Sequence, residues 1–87
     1  MQIEFKKSFV KMLDKSPEKI QEALRERLRL FEKDPYGSVL HNHWLTGKYA
    51  GLKSINITGD WRAIFIEIRK ENLVIFLLFG THSQLYK

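Results

Sequence analysis

The stretch KSINITGDWRAIFIEIRKENLVIFLLF, Lys53 to Phe79, decides the fold. Three runs rich in Ile, Val and Phe, from Lys53 to Thr58, Trp61 to Arg69 and Leu73 to Phe79, are separated by the polar turns Thr58-Gly59-Asp60 and Lys70-Glu71-Asn72. β-branched and aromatic side chains suit a pleated surface, and short connections join antiparallel neighbours, so the stretch predicts a three-strand antiparallel meander. Its last run is apolar on both parities and belongs in the sheet interior, with helices on one face and something bulky near the other. In the middle run, alternation sets Arg62 on the row of Ile64, Ile66 and Ile68, the expected core row, and Trp61, Ala63, Phe65 and Glu67 on the opposite one. An exit at the sheet rim or a bulge at Gly59 would free the guanidinium from the core, so parity leaves its direction open.

Upstream, Ile3 and Phe5 share one parity and predict a short first strand, followed by a helix whose apolar face is Phe9, Val10, Met12 and Leu13. Ser16 is expected to cap a second helix, with Pro17 at its first position and Glu18 at the positive end of its dipole. Ile20, Ala23, Leu24, Leu28 and Phe31 recur at helical spacing, and Asp34-Pro35-Tyr36-Gly37 stops the run. From Ser38 to Gly51 the period disappears while His41, His43, Trp44, Lys48 and Tyr49 accumulate, the pattern of a functional loop with little regular structure. The expectation is an α+β domain over residues 1–87: an N-terminal strand and a two-helix hairpin on a mainly antiparallel four-stranded sheet.

With 87 residues there is room for one small core, and a charge of +5, from 15 Lys+Arg against 10 Asp+Glu, favours a polyanion or an acidic protein as partner. Cysteine is absent, which removes disulfides and thiolate zinc sites and makes the cytoplasm the expected compartment. The N-terminal residues do not read as a signal peptide, and the longest apolar run, Leu73 to Phe79, is a strand's length, so no membrane association is expected.

Acid/base groups, a cation and aromatics occur together in this short basic chain, a set that suits cutting RNA. Cleavage without metal needs a base for the 2′-hydroxyl proton, an acid for the leaving 5′ oxygen and positive charge over the phosphate oxygens. His43 and His82 are the candidate proton-transfer pair, Asp60 a candidate base or imidazole orienter, and Arg62 and Lys53 candidate phosphate contacts, with Lys48 a further basic residue in the loop. Tyr86, Trp61 and Trp44 are candidates for stacking on unpaired bases at about 1–3 kcal/mol each, although Trp61, opening a strand, reads more as a filler of the sheet's edge, and Tyr86, following the last strand into solvent, more as a functional group. No cofactor is expected: His41 and His43 lack zinc-ligand spacing, there is no acidic cluster for magnesium, and no Gly-rich phosphate loop is present.

Three segments in this order, H-W-L-T-G from His43 to Gly47, S-I-N-I-T-G-D-W-R from Ser54 to Arg62 and G-T-H-S-Q-L-Y from Gly80 to Tyr86, follow a helical hairpin. Over nearly its whole length the chain resembles the RelE/ParE superfamily of bacterial toxins, and within it the YafQ-like branch of ribosome-dependent mRNA interferases. The resemblance implies two helices on a curved antiparallel sheet, a cognate antitoxin, and cleavage of mRNA in the A site of the 30S ribosomal subunit, with operator DNA met only through the antitoxin complex. It maps the branch's catalytic loop histidine onto His43, its aspartate and tryptophan onto Asp60 and Trp61, its C-terminal histidine onto His82 and its terminal aromatic near Tyr86. Arg62 matches a phosphate-binding arginine of the RelE branch, which supports an outward guanidinium. Asn56 stands where the branch has a histidine, and Leu78 where it has an arginine. The alternatives are a ParE-like toxin that binds and poisons DNA gyrase without catalysis, and an inactive regulator that binds its antitoxin and operator DNA without toxicity. The His43, Asp60 and His82 set favours the nuclease.

Overall fold

A computed structural model describes residues 1–86. β1 (Gln2–Phe5) leads into two helices, α1 (Lys7–Asp14) and α2 (Glu18–Lys33), after which the chain runs through β2 (His43–Trp44), β3 (Lys53–Thr58), β4 (Trp61–Ile68), β5 (Leu73–Thr81) and the one-turn helix α3 (His82–Leu85). The five strands lie in the order β1-β5-β4-β3-β2. β1 runs parallel to β5, and every other pairing is antiparallel, so the meander stands as the sequence predicts. The expected four strands become five because the loop after α2 contributes the two-residue β2, which pairs His43 with Ser54 and Trp44 with Lys53. The rest of that loop is also more regular than its composition suggests, with single 3₁₀ turns at Ser38–Leu40 and Gly47–Tyr49.

Both helices cover one face of the sheet. Phe9 of α1 and Leu24 and Phe31 of α2 join Ile55, Ile57, Ala63, Phe65, Val74, Phe76 and Phe79 in one buried core. Phe31 meets Phe65 and Phe76 edge-on at ring separations of 5.3 and 5.6 Å, and Phe9 meets Phe76 at 5.5 Å. Fully burying each of these side chains stabilises the fold by about 1.5–3 kcal/mol, so this cluster carries much of the small domain's stability. Arg27 ties α2 to the sheet by donating to the Ile57 carbonyl at 2.7 Å.

Two local expectations are corrected. Ser16 does not cap α2: its hydroxyl donates back to the Met12 carbonyl at 2.8 Å, closing the end of α1, and Pro17 occupies the cap position. Val10 is 42% exposed, off the face that Phe9 buries.

The core row of β4 is also opposite to the expected one. Residues paired across an antiparallel ladder point to the same face, so Ala63 with Ile55, and Phe65 with Lys53, share the helix side, while Arg62 with Asn56, and Ile64 with Ser54, share the other. A bulge explains why β5 is apolar on both parities. The register against β4 jumps from Ile64↔Leu78 to Phe65↔Phe76, leaving Leu77 unpaired. Val74 and Phe76 before it, and Phe79 after it, therefore reach the same core although their parity changes. Ser8 of α1 holds the bulge by donating its hydroxyl to the Leu77 carbonyl at 2.7 Å.

Candidate functional site

The face of β3 and β4 turned away from the helices forms the floor of an open cleft of about 410 Å³, lined by His41, His43, Leu45, Ser54, Asn56, Arg62, Ile64, His82, Leu85 and Tyr86. Four separate segments supply its polar groups: the loop after α2, β3, β4 and the turn of helix after β5.

His43 enters from β2. Its Nδ1 lies 2.7 Å from the His41 carbonyl oxygen. A carbonyl only accepts, so Nδ1 carries the proton in the neutral ring and Nε2 keeps its lone pair, the arrangement of a general base or acceptor. His41 adopts a left-handed backbone (φ 47°) that ends the preceding 3₁₀ turn, and its ring lies 4.8 Å from that of His43. The two-residue spacing read as unsuited to zinc thus places one imidazole against the other.

His82 stands opposite, as the first residue of α3. A reciprocal cap fixes that short helix: the Thr81 hydroxyl accepts from the Gln84 N–H at 3.2 Å, and the Gln84 side chain accepts from the Thr81 N–H at 2.9 Å. The His82 N–H donates to the Asp60 carbonyl at 3.1 Å, which joins α3 to the β3–β4 turn. Tyr86 stacks on the His82 ring at 4.6 Å and is met edge-on by Tyr49 at 5.2 Å. Tyr49 in turn donates its hydroxyl to the Leu85 carbonyl at 2.5 Å, so the loop between β2 and β3 straps the C-terminal turn in place.

Arg62 projects into the cleft between the two histidines' segments. Its Nη1 donates to the Gly59 and Trp61 carbonyls at 2.9 and 3.1 Å. Among the described residues it forms no ion pair with a carboxylate, so the other face of the guanidinium fork is available to an anion.

The structure thus brings His43, His82, Arg62 and Tyr86 to one cleft. It places the other five sequence candidates elsewhere, among them Trp44, whose ring lies outside the cleft lining against the Lys53 ammonium. Asp60 lies in the exposed β3–β4 turn outside the cleft lining, and its contact with His82 is made by its main chain. Trp61 is on the helix side, stacked on Phe79 at 5.5 Å and packed against the core. Lys53 is on the helix side as well, 2% exposed, with its ammonium donating to Tyr36 Oη at 2.9 Å and meeting Glu67 at 3.4 Å, so it does not reach a phosphate in the cleft. Lys48 is outside the lining, over the Tyr49 ring at 5.0 Å.

Ser54, Asn56 and Tyr49 carry no role in the sequence reading. The first two become visible once the register is known, since they pair across the ladder with Ile64 and Arg62. The Asn56 Oδ1 is buried without a hydrogen-bond partner. Among the described residues no group of three His, Asp or Glu side chains is arranged to hold a metal ion.

A family model described as "Bacterial toxin of type II toxin-antitoxin system, YafQ" matches residues 1–87. No curated protein matches the sequence. Among solved structures, that of YafQ from Escherichia coli superposes with a TM-score of 0.82 at 21% identity, over 99% of this chain and 98% of that one. The E. coli DinJ–YafQ toxin–antitoxin complex gives 0.80 at 22% identity, over 99% and 97% of the two chains. A YoeB/ParE toxin from Agrobacterium tumefaciens gives 0.76 at 16%, over 94% and 99%. At these identities the structural likeness establishes a shared fold.

Proposed function

Since the chain belongs to the YafQ family of toxins from type II toxin–antitoxin systems, we propose that it is an endoribonuclease, an mRNA interferase that cuts messages in the ribosomal A site and so stops translation. The observation that carries this reading is the convergence of His43, His82 and Arg62, from three separate elements, on one cleft open enough for a nucleotide.

The chemistry follows from the placement of these groups. His43, with Nε2 unprotonated, takes the proton of a ribose 2′-hydroxyl as its oxygen attacks the adjacent phosphorus. The new O2′–P bond forms as the P–O5′ bond breaks, and the protonated His82 gives its proton to the departing 5′ oxygen. The products are a 2′,3′-cyclic phosphate and a 5′-hydroxyl, with no metal ion in the reaction. Arg62, anchored by two main-chain carbonyls, neutralises the phosphate oxygens in the transition state. Tyr86, on the His82 ring, offers a surface for a neighbouring base. The open cleft leaves much of the substrate's geometry undetermined, and a ribosome that presents a bent codon would supply the missing orientation.

A cognate antitoxin is the expected protein partner, as the DinJ–YafQ complex exemplifies for a structural relative. A basic chain of net charge +5 suits an acidic segment laid over the cleft, and operator DNA would be reached only through that complex. The site of action is the cytoplasm, where messages are translated. Among the described residues no helix is long and apolar enough to cross a membrane.

Brief expression of the native chain and of His82→Ala, followed by mapping of mRNA 5′ ends, tests the reading. In-frame cuts inside translated messages with the native chain and none with the variant are expected. Growth arrest that survives the substitution and comes with DNA damage would instead mark a gyrase poison.

A further inference from the structure

Lys53 is a buried cation on the far side of the sheet from the cleft, and the groups around it come from three elements. Its ammonium donates to Tyr36 Oη at 2.9 Å, lies 3.4 Å from Glu67 Oε1, and sits 4.8 Å from the centroids of both the Tyr36 and the Trp44 rings. Tyr36 belongs to the loop that leaves α2, Glu67 to β4 and Trp44 to β2.

β2 has two residues and occupies the edge of the sheet, so its ladder alone is a weak constraint. Trp44 is 58% exposed and is not held by burial. What meets its ring is the Lys53 ammonium, from the residue directly across the ladder. His43 is the adjacent residue and points to the opposite face, into the cleft. Fixing Trp44 against Lys53 therefore fixes the rotation of β2, and with it the direction of the His43 ring.

From this geometry we infer that Lys53 is a positioning residue for His43: a cation held by Glu67 and two aromatic rings, acting through the sheet on an imidazole it does not touch. Its consequence for turnover rests on the ribonuclease reading, whereas its consequence for the ring does not. The native His43 carries its neutral-state proton on Nδ1, the less common tautomer, because of the His41 carbonyl. Its ring ¹⁵N shifts report that state directly.

The test compares native protein, Lys53→Met/Glu67→Gln, in which no carboxylate is left without its cation, and Trp44→Leu, which keeps an apolar residue at a half-exposed strand position. Imidazole ¹⁵N spectra are recorded at alkaline pH, alongside cleavage of an mRNA on programmed ribosomes. Both variants are expected to move the His43 signals towards the Nε2–H tautomer and to leave His82 unmoved, and to slow cleavage by about 10²-fold, as expected for a misplaced catalytic group. Unchanged His43 shifts in a folded double variant overturn the inference. Should that variant not fold, unchanged shifts in Trp44→Leu do the same. A native chain that shows the Nδ1–H signature and its loss, but cuts no RNA, leaves the clamp standing and removes the nuclease reading.

Discussion

The two faces of β3 and β4 are built from alternating residues of the same strands, yet they differ in almost every property. Ile55, Ile57, Ala63 and Phe65 face the helices and are fully buried among phenylalanines. Ser54, Asn56 and Arg62, one position out of step, face the cleft with His43 and His82. Apolar burial on the first face leaves the second free to keep unpaired polar groups at a wide cleft, a combination that a sheet covered on both sides would not permit. Stability and chemistry are thereby separated by a single step in register, and substitutions should sort accordingly.

The largest effect is expected on the buried face. Phe76→Ala removes a ring that touches both helices and should cost about 3–5 kcal/mol, most of the margin of so small a domain, which a thermal or urea melt would register. A melt unchanged within about 0.5 kcal/mol would mean that this buried face does not carry the stability. On the cleft face the pattern reverses. Arg62→Gln should slow cleavage about 10²–10³-fold, as loss of one transition-state donor does, while the melt hardly moves. A large drop in stability with full activity would break the division between the faces.

A smaller effect sharpens the comparison where the faces are coupled. Ser8 lies on α1 and holds the Leu77 bulge, downstream of which β5 delivers His82. Ser8→Ala should cost about 0.5–1.5 kcal/mol and also shift the backbone amide signals from Phe79 to His82. Loss of stability with no change in those signals would confine the bulge to a packing role.

The meander, both helices and their core phenylalanines Phe9 and Phe31 were legible because their periods and turn residues agree. Residue chemistry and the three ordered segments name His43, His82, Arg62 and Tyr86 as candidates alongside Asp60, Trp61, Lys53 and Lys48, without separating the two groups or giving the direction of Arg62. The choice of face was not legible. Ile64 and Ile66 are as apolar as Ala63 and Phe65, so alternation fixes two rows without saying which one meets the helices, and the bulge at Leu77 re-phases β5 with no glycine or proline to mark it. Lys53 reads as a phosphate contact until Tyr36, Trp44 and Glu67 meet around it in space. Asp60 was named for its carboxylate, whereas its carbonyl makes the contact with His82, and main-chain roles leave no trace in residue type. Trp61 reads both as a stacking surface for RNA and as a filler of the sheet's edge, and it takes the structural part, stacked on Phe79.

The central claim is that His43 and His82 transfer protons across the helix-free face. Single-turnover cleavage of an mRNA on programmed ribosomes, by native chain, His43→Gln and His82→Gln of verified fold, tests it most directly. Each substitution is expected to slow the cut by about 10²–10⁴-fold, and the native product to end in a 2′,3′-cyclic phosphate. Cleavage by both variants at the native rate would contradict it.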